Sequence, residues 1–66
     1  MAIHKVIEVI SQSSKGWEDA AQKAVADAAK TVKGIKAIDI DHLSATVEKG
    51  AIVMYRVNAK LTFEIK

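Results

Sequence analysis

The stretch from Ala51 to Lys66, AIVMYRVNAKLTFEIK, limits what the chain can fold into more than any other. Read with a period of two, one side carries Val53, Tyr55, Val57, Ala59, Leu61, Phe63 and Ile65. The other carries Ile52, Met54, Arg56, Asn58, Lys60, Thr62 and Glu64. That alternation belongs to a strand with one buried and one wet face. Neither Gly nor Pro interrupts it, and β-branched and aromatic residues fill the buried side. At about 3.3 Å per residue it runs roughly 50 Å, far beyond a common strand of about five or six residues. So long a half-buried strand demands an apolar partner of similar length.

A chain of 66 residues has trouble supplying one. Domains of this size bury only about 60% of their unfolded surface, and disulfides, a structural metal or association make up the shortfall. The absence of cysteine excludes a disulfide framework and thiolate zinc sites. His4 and His42 stand alone and make a weak metal staple. Association with further copies is the route that remains.

Charge narrows the partners. Lysines are spread from Lys5 to Lys66 and alternate with eight acids, without the clustered arginines or stacking aromatics of a nucleic-acid footprint. No apolar run has the length to span a bilayer, and the sequence enters a strand-like run at once, without a leader pattern. The expectation is a cytoplasmic protein with neither nucleic acid nor membrane as partner.

Ile3–Ile10, IHKVIEVI, reads as a first strand with His4, Val6, Glu8 and Ile10 on one face and Lys5, Ile7 and Val9 on the other. Ser11-Gln12-Ser13-Ser14 ends it and offers Ser13 or Ser14 as a helix N-cap, with Glu18 and Asp19 in the first turn. A helix from about Lys15 to Lys33 follows, because Trp17, Ala20, Ala21, Ala24, Val25, Ala28, Ala29 and Val32 repeat at i, i+3, i+4 and i+7. Gly34 is placed to stop it. Ile35–Val47 reads as a second strand, with Ile38, Ile40, His42, Ser44 and Thr46 on one face and Ala37, Asp39, Asp41, Leu43, Ala45 and Val47 on the other. Glu48-Lys49-Gly50 then turns into the final strand.

The fold class is α+β with the order β-α-β-β, in a single domain over residues 1–66. Placing the third strand between the other two makes a wholly antiparallel sheet, partly wrapped around one helix. A helix of this length spans under about 30 Å, so it leaves apolar sheet uncovered near Phe63 and Ile65 or near Ile52 and Val53. A second subunit is expected there.

In size and element order, with HKVIEVISQSS opening the sheet, GWEDAAQKAVADAAKTVKGI as helix and exit, and YRVNAKLTFEI as last strand, the chain resembles the dodecin family over nearly its whole length. The resemblance implies a bacterial or archaeal protein, a hollow cubic dodecamer, and non-enzymatic binding or storage of a small ligand, commonly a flavin. It also implies where flavin recognition has changed. Ala37 stands where flavin-binding members carry a stacking tryptophan, and Arg56, in Tyr55-Arg56-Val57, stands where they carry an edge-bonding glutamine. Flavin binding is therefore expected to be weak or absent. The Trp17-Glu18 pair and Tyr55-Arg56 are similar to a calcium-binding subgroup, a likeness that carries a ligand class and no ligand residues.

From the residues themselves, Asp39 and Asp41 are candidate ligands for a hard cation such as calcium. Calcium takes about six to eight oxygens, so copies around a symmetry axis would have to complete the shell. The same two residues also suit solvated or cross-hairpin partners of Arg56 and Lys60. Arg56, the sole arginine, suits either a phosphate or carboxylate clamp or a salt bridge. Trp17 suits a packing anchor, or else a stacking platform. No acid–base pair, activated nucleophile or phosphate loop argues for an enzyme. Beside a cage for a divalent cation or an anionic cofactor stands the alternative of a structural or partner-binding assembly with no small ligand.

Overall fold

The structure is a computed structural model that describes residues 3–65. It has the β-α-β-β order: β1 (Ile3–Ser13), α1 (Trp17–Ala28), β2 (Ile35–Glu48) and β3 (Ala51–Ile65). The sheet order is β1-β3-β2, with both neighbours antiparallel to β3. Lys66, the last residue of the expected third strand, lies outside the described residues.

The inward side of β3 is the one its alternation predicts. Val57, Ala59 and Leu61 are buried at 1%, 0% and 0% exposure; Val57 and Ala59 cluster with Ala20 of α1, and the partly buried Val9, Trp17 and Ile38 pack against that cluster. Burying a Leu or Val side chain of this kind contributes about 1.5–3 kcal/mol. Ala20 lets the helix backbone come close to the sheet. The stripe of α1 also holds: Trp17, Ala21, Ala24, Val25 and Ala28 are half-buried, while Gln22, Lys23 and Asp27 are exposed.

Several boundaries differ from the sequence reading. Strand β1 continues through the polar residues to Ser13, because Ser11, Gln12 and Ser13 pair with Val57, Arg56 and Tyr55 of β3. A ladder with a long central strand holds polar residues that would otherwise read as a loop. Neither Ser13 nor Ser14 is the N-cap; Gly16 is, with no side-chain cap bond. Ser13, 2% exposed, instead donates its hydroxyl to the Asp19 carboxylate and accepts the Lys15 N–H at 3.0 Å. That pair ties the helix start to the end of β1.

Helix α1 stops at Ala28, well short of Lys33. Bonds of the tighter i→i−3 kind, Lys30 N–H to Asp27 and Thr31 N–H to Ala28, draw in the next turn, which Val32 N–H to Ala28 closes. The chain then needs an extended run to reach the sheet. Gly34 serves that run and not a helix end: at φ 81 its carbonyl accepts the Glu64 N–H at 3.0 Å, and a Cβ there would meet Glu64 O at 3.1 Å. The hairpin between β2 and β3 turns on Lys49 and Gly50 alone, both at positive φ (51 and 79), the twist that two-residue hairpins favour.

The largest correction concerns the faces of β2. Register shifts fall between Ile35 and Ala37, between Ile40 and His42, and between Thr46 and Val47. An extra residue at Asp41 reverses the alternation, so Ile38, Ile40, Leu43 and Ala45 all pair with inward positions of β3 (Leu61, Ala59, Val57 and Tyr55). Ala37, Asp39, His42, Ser44 and Thr46 pair with outward ones. The continuous alternation expected across Ile35–Val47 placed Leu43 with Asp39 and His42 with Ile40. The bulge separates both pairs.

Cover is incomplete. Ile3, Val6, Ile10, Ile40, Leu43, Val47, Ile52, Val53 and Ile65 are all exposed. The accessible surface is 4920 Å², against roughly 4,100 Å² for a compact monomer of this mass. The radius of gyration is 13.5 Å and the longest extent 52 Å, where a compact domain of this length has a radius of about 11 Å.

Candidate functional site

Two surfaces hold the residues with chemistry. One is the sheet face turned away from α1. The other is a groove of about 830 Å³ between α1 and β2, lined by Lys15, Trp17, Glu18, Ala21, Gln22, Val25 and Ile38 among others. The groove exists because α1 lies over β1 and the middle of β3 and barely touches β2.

Trp17 sits at the mouth of that groove. Its indole Nε1–H donates to the backbone carbonyl of Ser44 at 2.9 Å, and its ring meets Tyr55 edge-on, with centroids 4.8 Å apart at 77°. Edge-to-face geometry of this kind contributes about 0.5–1.5 kcal/mol beyond burial. Trp17 is thus the packing anchor, with its polar edge satisfied by β2.

On the far face the register sets out rows across β1, β3 and β2. Gln12, Arg56 and Ser44 form one row; Ile10, Asn58 and His42 the next; Glu8, Lys60 and Asp39 a third; Val6, Thr62 and Ala37 a fourth. Asp41, the bulge residue, turns Oδ2 to within 3.5 Å of Lys60 Nζ. Exposure of 48% and 31% on the two side chains makes this a surface pair contributing about 0–1 kcal/mol. A cross-hairpin partner for Asp41 was one of the two readings of the sequence.

The candidate residues do not all come together. Asp39 and Asp41 both stand beside Lys60, so the carboxylates share one neighbourhood. Among the described residues no group of three or more His, Cys, Asp or Glu is placed to hold a metal ion. Glu8 faces Lys60 from β1, a carboxylate that sequence reasoning did not connect to this row, since only the β1–β3 register reveals it. Ala37 and Arg56 lie on the same face, but Ala37 pairs with Thr62, and Thr62 to Arg56 is roughly 20 Å along β3. One ligand of ordinary size cannot touch both within one protomer. Gln12 and Ser44, which flank Arg56, are likewise visible only through the register.

The chain matches the family model described as Dodecin over residues 3–66. It is 29% identical over 66 residues to the calcium dodecin of Mycobacterium tuberculosis, spanning 100% of this chain and 93% of that protein. The crystal structure of the M. tuberculosis calcium dodecin, described as calcium-chelating with a novel calcium-binding site, aligns with a TM-score of 0.83 at 31% identity, covering 97% and 91% of the two chains. Dodecin from Streptomyces coelicolor aligns with a TM-score of 0.94 at 25% identity, covering 98% and 93%. A point mutant of the T. thermophilus dodecin aligns with a TM-score of 0.95 at 24% identity, covering 100% and 98%, a likeness of fold.

Proposed function

The chain belongs to the dodecin family, and from that premise we propose that it forms a hollow homo-dodecamer that binds and buffers a small ligand without catalysing a reaction. The observation that carries the assembly is the apolar surface left open. Nine large aliphatic side chains are exposed: Ile3, Val47, Ile52, Val53 and Ile65 near the sheet ends, Ile40 and Leu43 on the edge strand β2, and Val6 and Ile10 on the face turned away from α1. A second copy of the chain is the partner these surfaces fit.

The leading ligand is a divalent cation such as calcium. Its support is the similarity to the M. tuberculosis calcium dodecin together with the shared neighbourhood of Asp39 and Asp41. Two side chains cannot fill a calcium shell of about six to eight oxygens, so the site is built from several copies, as a cage with rotation axes permits. Lys60 then plays the part of a resident cation that holds the Asp41 carboxylate, beside Asp39, while the ion is away.

Flavin takes second place. Ala37 has no ring to stack, and Arg56 offers donors only where an edge with both donors and acceptors would need a matching partner. The distance between the two positions requires any such site to be shared between copies. The scattered charge supports no nucleic-acid partner, and no helix among the described residues is long and apolar enough to cross a membrane. A bacterial cytoplasm is the setting we infer, because the named relatives are bacterial.

Native mass spectrometry of the purified protein tests both halves: a mass of twelve chains is expected, and a stable monomer at micromolar concentration sinks the assembly. In a melting experiment calcium is expected to raise the transition by mass action. The double variant Asp39→Asn, Asp41→Asn is expected to lose that shift while still assembling. No shift in the unaltered protein removes calcium and leaves an anionic ligand or a purely structural shell.

A further inference from the structure

We propose that Arg56 is the centre of an oxyanion-binding patch on the sheet face turned away from α1, suited to the phosphate group of a small molecule. The proposal deepens the ligand-binding reading above and rests on it only in that this face receives a ligand.

Arg56 and Lys60 stand on the same face of the same strand, and their surroundings are opposite. Lys60 faces Glu8 and Asp39 across its two ladders and pairs with Asp41 at 3.5 Å. Arg56 faces Gln12 on one side and Ser44 on the other, and among the described residues it makes no salt bridge. The next row adds Asn58 and His42. Each of these neighbours can donate a hydrogen bond and none is an acid. Glu8 and Asp39 belong to the row of Lys60, about 13 Å along β3 from Arg56. Asp41 is nearer, but its carboxylate is engaged by Lys60.

Directly opposed side chains in a sheet begin about 4.5–5.5 Å apart, and those two residues along a strand about 7 Å apart. That spacing matches a tetrahedral oxyanion, whose oxygens accept from several sides at once. A guanidinium grips two of those oxygens with parallel bonds, which a lysine cannot. Its position on the central strand of the sheet fixes where the fork begins.

The test uses the full chain at low salt with no divalent cation, titrated with inorganic phosphate and followed by phosphorus NMR linewidth. Saturable broadening is expected. Arg56→Gln is expected to weaken it at least about tenfold, the size of one lost charge-assisted contact. Lys30→Gln, which removes a cation paired with Asp27 on the exposed side of the helix, is expected to leave it unchanged. Arg56→Lys keeps the charge and guards against misfolding of the first variant; it is expected to bind several-fold less tightly than the wild type. No saturation, equal losses in Arg56→Gln and Lys30→Gln, or full affinity in Arg56→Lys each overturns the proposal. Because calcium is absent, a failed calcium response leaves this result standing, and a failed phosphate response leaves the cation reading standing.

Discussion

The middle of β3 and its hairpin end share one sequence pattern and have opposite fates. Val57 and Ala59 are sealed against Ala20 and Leu61 is fully buried beyond them, whereas Val53, on the same side of the strand a few residues earlier, is 39% exposed. Composition does not explain the difference, since both segments are aliphatic. Reach does. An α1 of 12 residues extends about 18 Å, and a β3 of 15 residues about 50 Å. Alternation along a strand therefore says which side is meant to be dry; whether that side is dry within one chain depends on the length of whatever lies over it.

Leu61→Ala should give the largest effect, because it opens a cavity in the sealed part. A loss of about 2–5 kcal/mol is expected, read as a strongly lowered denaturation midpoint. A midpoint within experimental scatter of the wild type would mean that the middle is no more a core than the ends.

Val53→Asp attacks the other side of the comparison. In an isolated protomer this exposed position tolerates a charge with a change of roughly 0.5 kcal/mol or less. In a cage that buries it, the same charge costs several kcal/mol. The expected outcome is a folded chain by circular dichroism that no longer gives the dodecamer mass. Intact dodecamers would place the hairpin end outside every interface.

Trp17→Phe is the smallest of the three and tests the boundary between the two regions. It keeps an aromatic ring against Tyr55 but removes the bond to the Ser44 carbonyl. A loss of about 1 kcal/mol is expected, with assembly retained. A loss as large as that of Leu61→Ala would move Trp17 from the rim of the covered part into its centre.

The central strand and the helix stripe were legible in the sequence because each rests on a periodicity that a single chain must satisfy, and the strand order followed from a helical crossover joined to a hairpin. The bulges were not. Asp41 sits among ordinary strand residues, with no Gly or Pro to mark the extra position. Only pairing with β3 shows that the faces of β2 exchange there. The helix end was hidden for a related reason: Ala29 and Val32 continue the stripe, yet the chain has to turn early enough for Gly34 to reach Glu64. Of the candidate site, the residue types were readable and their neighbours were not. That Lys60 stands among acids and Arg56 among neutral donors is a property of the register.

The sheet order β1-β3-β2 also has a consequence for how the protein is made. A ribosome delivers both outer strands before the one strand that pairs with either of them. In the growing chain β1 and β2 have no ladder to join, and the exposed backbone of each is open to pairing with a neighbouring nascent chain. Once β3 emerges, the tight turn at Lys49 and Gly50 lets the β2–β3 hairpin close locally, within about microseconds. Strand β1 must then be recruited across the whole helical segment, a contact of much greater sequence separation and so the slower step. Until it docks, the inner edge of the hairpin is the surface that a chaperone would have to guard.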